Sequence, residues 1–315
     1  MAELVWVVGV FGVSCVLLSL AVGVPVALAP LGRLHPRPRA RVLTIAALLP
    51  ALGGLLVALA VFVPHPWLGL PDHCLIDAGH LHLCLLCGVP APPLALSVFA
   101  GLFCLRALWR VTPELLRGVR AGRLVRRLGG GRRVGDAIIL PVDAPLAFTA
   151  GFFRPQVFVS EATAALPEWG AVMAHERDHA AHRDPLMRLL TRLGDALHAP
   201  WIGARLDRRL VASQELAADD AAALALGDRV EVARQIVAWA RASRRSPARP
   251  PMMGVGFDEG DLDHRVRVLL DAPRYVAGPT RGQVTGLTLV TTAAMGALTT
   301  SIHHAVEVSV HLLGA

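Results

Sequence analysis

The sequence predicts an α-helical membrane protein that carries a smaller α+β domain on one side of the bilayer. Of its 315 residues, 54% are hydrophobic and only 17% are charged, whereas a soluble domain carries about 25% charged residues. Several uncharged runs reach the roughly 20 residues that a helix needs to cross a bilayer. Between the third and fourth of these runs, the pattern changes to short apolar segments followed by mixed helical ones. The same composition excludes a disordered chain.

Four transmembrane helices are expected, at about residues 4–31, 42–64, 83–105 and 282–302. The last of these is rich in threonine and is the weakest. The first is not a secretory signal peptide, because no basic residue precedes it and the apolar run is too long. This gives a membrane region of residues 1–110 with an outer loop at 65–82, a domain at 111–280, and a fourth span with a short outer tail at 281–315.

The placement of arginine orients these spans, because basic residues accumulate on the cytoplasmic side. All 31 lysine-plus-arginine residues are arginines, and the net charge is +7. Basic residues follow the first and third spans, whereas loop 65–82 has none and holds Asp72 and Asp77. We therefore expect both termini outside and the domain in the cytoplasm. The basic stretch from Arg106 to Arg133 lies next to a span, so anionic lipid headgroups are a better partner for it than nucleic acid.

The domain opens with short strands and continues as helices. Residues 137–142, 146–150 and 156–159 read as strands separated by glycine and proline turns. Helices are expected at about 160–181, 184–198, 202–226 and 229–243, with Asp184 and Pro185 as N-cap and first residue of the second. A small antiparallel sheet followed by helices is the expected fold of this domain.

The sequence His175-Glu176-Arg177-Asp178-His179 is an H-E-x-x-H motif on a predicted helix. Residues four apart share a helical face, so both imidazoles can reach one metal ion. Zinc lowers the pKa of a bound water, and the Glu176 carboxylate is placed to accept its proton. A surface cluster of histidines and acidic residues on an alanine-rich helix could have the same sequence. The assignment of a metal site therefore requires a third ligand.

Glu215 and Asp219 supply a second carboxylate pair on one face of a later helix. Glu215 is the candidate third ligand, and Asp219 could accept a hydrogen bond from a metal-bound histidine. Asp184 is a further candidate for such a supporting role, although capping of its helix is sufficient to explain it. Both carboxylates of the later helix could also be ordinary solvated charges.

These segments resemble peptidase family M56, the BlaR/MecR-type membrane zinc proteases, which are related to HtpX and the prenyl-protein zinc proteases. The resemblance rests on the run from His175 to Pro185, on Gln214-Glu215-Leu-Ala-Ala-Asp219, on the segment 145–159 and on Leu262-Asp-His-Arg265. It covers roughly residues 137–270. It implies a gluzincin-type zinc protease domain in which His175, His179 and Glu215 bind Zn²⁺, Glu176 is the catalytic base and Asp219 supports a ligand.

The resemblance implies an endopeptidase of the bacterial inner membrane that cleaves a cytoplasmic protein, such as a transcriptional repressor or itself, during signalling. Quality control of membrane proteins and a non-catalytic scaffold are the alternatives. A separate sensor protein or a second copy of this chain could be a partner of the signalling protease or of the quality-control protease. His182 and His198 are loose candidates for stabilising the transition state. Substrate is expected to pair with an edge strand, for which we choose Gln156, Val157, Phe158 and Val159.

Two further segments invite a functional interpretation. Residues 246–260 contain three prolines, three glycines and one arginine and are a candidate self-cleavage loop. Cys74, Cys84 and Cys87 lie on the side expected to be outside. There they could form a disulfide between Cys74 and one of the other two, a thiol-based metal or redox sensor, or simply apolar contacts at the top of a span.

Overall fold

The computed structural model describes residues 1–62, 91–129, 131–167, 169–244, 262–271 and 275, with a few isolated positions beyond them. Three described helices are long and apolar enough to cross a membrane: α1 (Ala2–Leu28), α2 (Pro36–Phe62) and α3 (Leu94–Leu128). The chain is therefore a membrane protein. Outer loop 65–82, the cysteines Cys74, Cys84 and Cys87, segment 246–260 and all but isolated positions of the expected fourth span lie outside the described residues.

Helix α3 joins a predicted span to the arginine-rich stretch without a break. It has 35 residues, which corresponds to a length of about 50 Å at 1.5 Å per residue. A bilayer core is only about 30 Å thick, so the second half of α3 extends out of the apolar layer. The apolar side chains of its first half, among them Leu94 and Leu102, are exposed, as expected of a surface that faces lipid.

A four-stranded sheet follows α3 directly. The strands are β1 (Arg132–Val134), β2 (Ala137–Leu140), β3 (Ala147–Ala150) and β4 (Gln156–Ser160), and their order is β1-β2-β4-β3. Strand β2 pairs with β4 in parallel, and the other two pairings are antiparallel. The sheet is mixed, so the expectation of a purely antiparallel sheet was wrong.

The sheet is covered on both faces, which explains why its central strands are continuous apolar runs. On one face, Ile139 and Val157 pack with Val172 and Met173 of the helix that carries the H-E-x-x-H motif. On the other face, the stacked rings of Phe148 and Phe158 lie 5.1 Å apart between centroids, within a cluster that includes residues from the end of α3. The sheet is thus held between the membrane helix and the motif helix.

Six helices make up the rest of the described domain. They are α4 (Glu161–Ala164), α5 (Trp169–Ala181), α6 (Asp184–Asp195), α7 (Pro200–Leu226), α8 (Arg229–Arg244) and α9 (Leu262–Asp271). The expected helices therefore form with small shifts of their ends, except that the first is divided into α4 and α5.

Helix α7 attaches this domain to the membrane helices. Its residues Ile202, Leu206 and Leu210 are fully buried against Leu43 and small residues of α1 and α2. Arg209 donates hydrogen bonds to backbone carbonyls in and just after the last turn of α1. The carbonyls in the last turn of a helix lack a backbone partner within that helix, so the arginine satisfies those of Val26 and Ala27. The domain and the first two membrane helices consequently share one core.

Candidate metal centre

Helix α5 presents the two motif histidines side by side on one buried face. His175 and His179 are 2% and 0% exposed, and their Nε2 atoms lie 3.1 Å apart. Their spacing of four residues places both rings on the same side of the helix, one turn apart. One turn before the histidines, Val172 and Met173 of the same helix pack on the sheet, which fixes the rotation of α5 and thereby the direction in which the imidazoles point.

Glu215 of α7 completes the group. Its Oε2 lies 3.4 Å from Nε2 of His175, and its Oε1 lies 3.6 Å from Nε2 of His179. One ligand atom from each of the three residues lies within 4.8 Å of the others, and all three side chains are buried. These residues could therefore hold a metal ion.

Two further carboxylates determine which ring nitrogens face the centre. Nδ1 of His175 lies 2.9 Å from Oδ1 of Asp219, and Nδ1 of His179 lies 2.7 Å from Oδ2 of Asp184. With Nδ1–H donated outwards, each ring offers the lone pair of Nε2 inwards. The two Nε2 atoms, 3.1 Å apart, are close enough to share one proton or to bind one metal ion.

The pKa values of the two histidines diverge, as expected of two neighbouring rings whose protonation is coupled. Burial alone would lower the pKa of His175, but hydrogen bonds with Asp219 and Glu215 outweigh it and raise the pKa to about 9. Burial dominates at His179 and lowers its pKa to about 4. Of the two imidazoles, His175 therefore holds the proton more tightly.

The expected base, Glu176, is buried next to the two histidines. Thr149 of β3 donates its hydroxyl hydrogen to this residue, with Oγ1 2.8 Å from both Oε2 and the backbone oxygen of Glu176. The other carboxylate oxygen, Oε1, is buried and has no hydrogen-bond partner among the described residues. Burial raises the pKa of Glu176 to about 7, a value suited to accepting and returning a proton near neutral pH.

Two arginines balance the buried carboxylates, and sequence reasoning assigned a role to neither. Arg265 of α9 is fully buried and makes two hydrogen bonds with Asp219, at 2.7 and 2.5 Å, and an ion pair with Glu215 at 3.1 Å. Arg188 of α6 donates to Glu215 and Gln214. Burial would raise the pKa of Glu215, but Arg265 and the histidines hold it well below its usual range.

Asp184 does not cap helix α6, contrary to the expectation from the Asp-Pro pair. The helix begins at Asp184, and its N-cap residue Arg183 has a left-handed backbone with φ of 54°. The Asp184 side chain turns back to His179 and also accepts hydrogen bonds from Arg37 and Gln214. The sharp turn at Arg183 is what places this carboxylate behind the histidine ring.

Strand β4 is not at the edge of the sheet, so the expected substrate strand was placed wrongly. Residues Gln156–Val159 pair with β2 on one side and with β3 on the other. Among the described strands, the edges are β1 and β3. The edge strand that reaches the site is β3, because Thr149 lies on it.

The two other histidines considered for catalysis have different surroundings. Nδ1 of His182 lies 2.9 Å from the backbone oxygen of Asp178, and the side chain is partly exposed. His198 is buried at the junction with the membrane helices, where Nδ1 lies 2.8 Å from Ser19 Oγ and Nε2 lies 3.2 Å from two carbonyls of α2. Its contacts are those of a structural residue.

Comparison with known proteins adds no relative: no protein-family model, curated protein or solved structure matches this chain.

Proposed function

We propose that this chain is an integral membrane zinc endopeptidase whose active site contains His175, His179 and Glu215 as zinc ligands. The observation that carries the proposal is the close grouping of the His175 and His179 Nε2 atoms, 3.1 Å apart, with the Glu215 carboxylate beside them. Each imidazole has a carboxylate on its outer nitrogen, which is the arrangement typical of metal-bound histidine.

The donor set favours zinc among the divalent ions. Two imidazole nitrogens and one carboxylate oxygen suit zinc, and three protein ligands leave the fourth position open for chemistry. Ligands at 2.0–2.1 Å from a tetrahedral ion lie roughly 3.3 Å apart. The separations of 3.1, 3.4 and 3.6 Å between the three side chains are close to this value.

The residues around this position can divide the work of peptide-bond hydrolysis. Bound zinc supplies Lewis-acid chemistry, which polarises a carbonyl and acidifies water. Glu176 accepts the proton of the attacking water on its free Oε1 and later donates it to the leaving amine. Thr149 holds the other oxygen of this carboxylate, and the open edge of β3 can pair with an extended substrate backbone.

The distribution of charge supports a cytoplasmic domain, because the basic half of α3 and the basic beginning of α2 flank it and basic residues accumulate on the cytoplasmic side. We propose that the membrane is a bacterial inner membrane. A protein substrate then comes from the cytoplasm or from the chain itself. A repressor cleaved during signalling is the substrate class that we favour. The complete set of ligands, base and supporting carboxylates argues against a scaffold that has lost catalysis.

Purified full-length protein and its Glu176→Gln variant test the proposal. Both should contain zinc, because Glu176 is not a ligand, but only the wild type should cleave casein or itself. A chelator should abolish the cleavage and added zinc should restore it. Equal cleavage by both proteins would reveal a contaminating protease, and cleavage by neither protein would contradict the proposed activity.

A further inference from the structure

Three alternate residues at the beginning of helix α2, of which His35 lies just before it, contact residues around the group formed by His175, His179 and Glu215. His35 Nε2 lies 3.1 Å from Asp220, Arg37 contacts Asp184, and Arg39 Nε donates to Ser213 at 2.8 Å. The first and last of these partners neighbour Asp219 and Gln214 in sequence, and Asp184 contacts His179 directly. The beginning of this membrane helix thus contacts, at several positions, residues that lie next to the proposed metal ligands.

Arg37 makes the closest of these connections. Its Nη1 lies 2.9 and 2.8 Å from the two oxygens of Asp184, and its Nη2 contacts Asp178 on the motif helix. The side chain is 13% exposed, and that of Asp184 is 2% exposed. Charge-assisted bonds of this kind are strong and directional when they are removed from water. The guanidinium therefore holds α5 and α6 together while it neutralises a buried carboxylate.

Asp184 in turn holds His179. Its Oδ2 accepts the Nδ1 hydrogen of this ring at 2.7 Å, which orients Nε2 towards Glu215. The carboxylate behind a metal-bound histidine sets the orientation and basicity of the ring. A continuous path of hydrogen bonds thus runs from the first turn of a membrane helix to a candidate metal ligand.

We propose that Arg37 is a positioning residue for the metal centre, which holds His179 in its ligand orientation through Asp184. The position of helix α2 thereby sets the affinity of the site for zinc, so a movement of this helix would change that affinity. This inference rests on the proposed zinc site, although it does not depend on which substrate is cleaved.

Zinc affinity of the purified full-length protein, measured by competition with a chromophoric chelator, tests the proposal. Arg37→Ala should weaken zinc binding by about 10- to 100-fold, the range observed when a supporting contact of a metal ligand is lost. Arg41→Ala is the matched control, since Arg41 is exposed and lies one turn further along the same helix. It should leave the affinity unchanged. The absorption spectrum of the cobalt-substituted protein should change only in Arg37→Ala.

A double-mutant cycle separates positioning from general damage to the fold. If Arg37 acts through Asp184, Arg37→Ala combined with Asp184→Asn should weaken zinc binding no more than the larger single effect. Additive losses would overturn the proposal. Should Arg37→Ala fail to fold, Arg37→Lys keeps the charge but loses the planar fork, and it should still bind zinc more weakly than wild type.

The outcomes distinguish this inference from the proposed function. A wild-type protein that binds no zinc contradicts the metal site itself. A wild-type protein that binds zinc with an affinity that neither Arg37 variant changes supports the metal site and overturns the positioning role.

Discussion

Each buried carboxylate behind or within the proposed metal site has an arginine beside it. Arg265 bridges Asp219 and Glu215, and Arg37 neutralises Asp184. A buried carboxylate costs several kcal/mol of solvation free energy, so each guanidinium is required by the acid beside it. The arginines are therefore as much a part of the centre as the residues that face it.

Replacing Arg265 by alanine should be strongly destabilising. The change leaves the buried Asp219 without its arginine and Glu215 with Arg188 alone, and we expect the free energy of unfolding to fall by about 3 kcal/mol. Thermal unfolding of the metal-free protein in detergent measures the effect. Arg267→Ala is the control on the same helix, because Arg267 is exposed and pairs with Asp263 four residues away. A similar loss in both variants would show that Arg265 acts only as a surface residue.

The ionised side chain of Glu176 should lower the free energy of unfolding above neutral pH. Its pKa rises from 4.5 to about 7 on folding, so the folded state binds the proton more tightly and loses stability as the pH rises between these values. In metal-free protein, Glu176→Gln should therefore be more stable than wild type by about 3 kcal/mol at pH 8. The difference should be under about 1 kcal/mol at pH 5. A difference independent of pH would show that the ionised carboxylate is not the cause.

Local spacing explains why the sequence identifies part of the centre. His175 and His179 lie one helical turn apart, as do Glu215 and Asp219, so the periodicity of one helix brings each pair onto a common face. Arg37 lies 147 residues before Asp184, and no local pattern links them. A buried arginine within an apolar helical pattern, such as Arg265, was the available signal for the missing cations.

At the scale of single elements, helix α6 lies close against α2 at Gly194. A Cβ atom on Gly194 would lie 2.3 Å from the backbone oxygen of Ala47. No side chain can occupy that space, so glycine permits the domain to lie against the membrane helix.

Gly194→Ala should separate these two helices and destabilise the protein. Overpacking of this kind costs about 1–3 kcal/mol, which should appear as a lower unfolding temperature. Gly170 offers a matched control, since it is also helical but a Cβ there would meet no atom within 4 Å. Gly170→Ala should be neutral or stabilising by up to about 1 kcal/mol. An unchanged unfolding temperature in Gly194→Ala would show that the two helices are not in contact.

The elements that the sequence predicts are those with a clear apolar pattern. Strands β2 to β4 and helices α6 to α8 form close to their expected positions. Strand β1 was missed, because Arg132 and Arg133 give it no apolar alternation. The two-residue turn Gly135-Asp136, with φ of 62° at the glycine, was the available signal for this hairpin.

The pairing of the strands could not be read from the sequence. Strand β4 lies between β2 and β3, an order that differs from the order along the chain. Hydrogen bonds from the backbone nitrogen of Leu146 to Ser160 and Thr163 hold the connection that makes this order possible. These contacts are between residues 14 and 17 positions apart, beyond the reach of local periodicity.

For the whole molecule, the distribution of arginine predicts that the domain faces the cytoplasm. A single cysteine at Glu161, an exposed site on the domain, should react with a membrane-impermeant thiol reagent only after cells are permeabilised. The five native cysteines are replaced in this variant. Labelling of intact cells would reverse the proposed orientation. It would also place the basic half of α3 outside, against the positive-inside bias.

X-ray absorption at the zinc edge of the purified protein tests the central claim most directly. The account predicts one zinc per chain with nitrogen and oxygen neighbours at about 2.0–2.1 Å, of which two are imidazoles. Glu215→Ala should lose this zinc, whereas Glu176→Gln should give the wild-type spectrum. Sulfur neighbours at about 2.3 Å would place the metal on cysteines. That result, or full zinc occupancy in Glu215→Ala, would contradict the assignment of His175, His179 and Glu215.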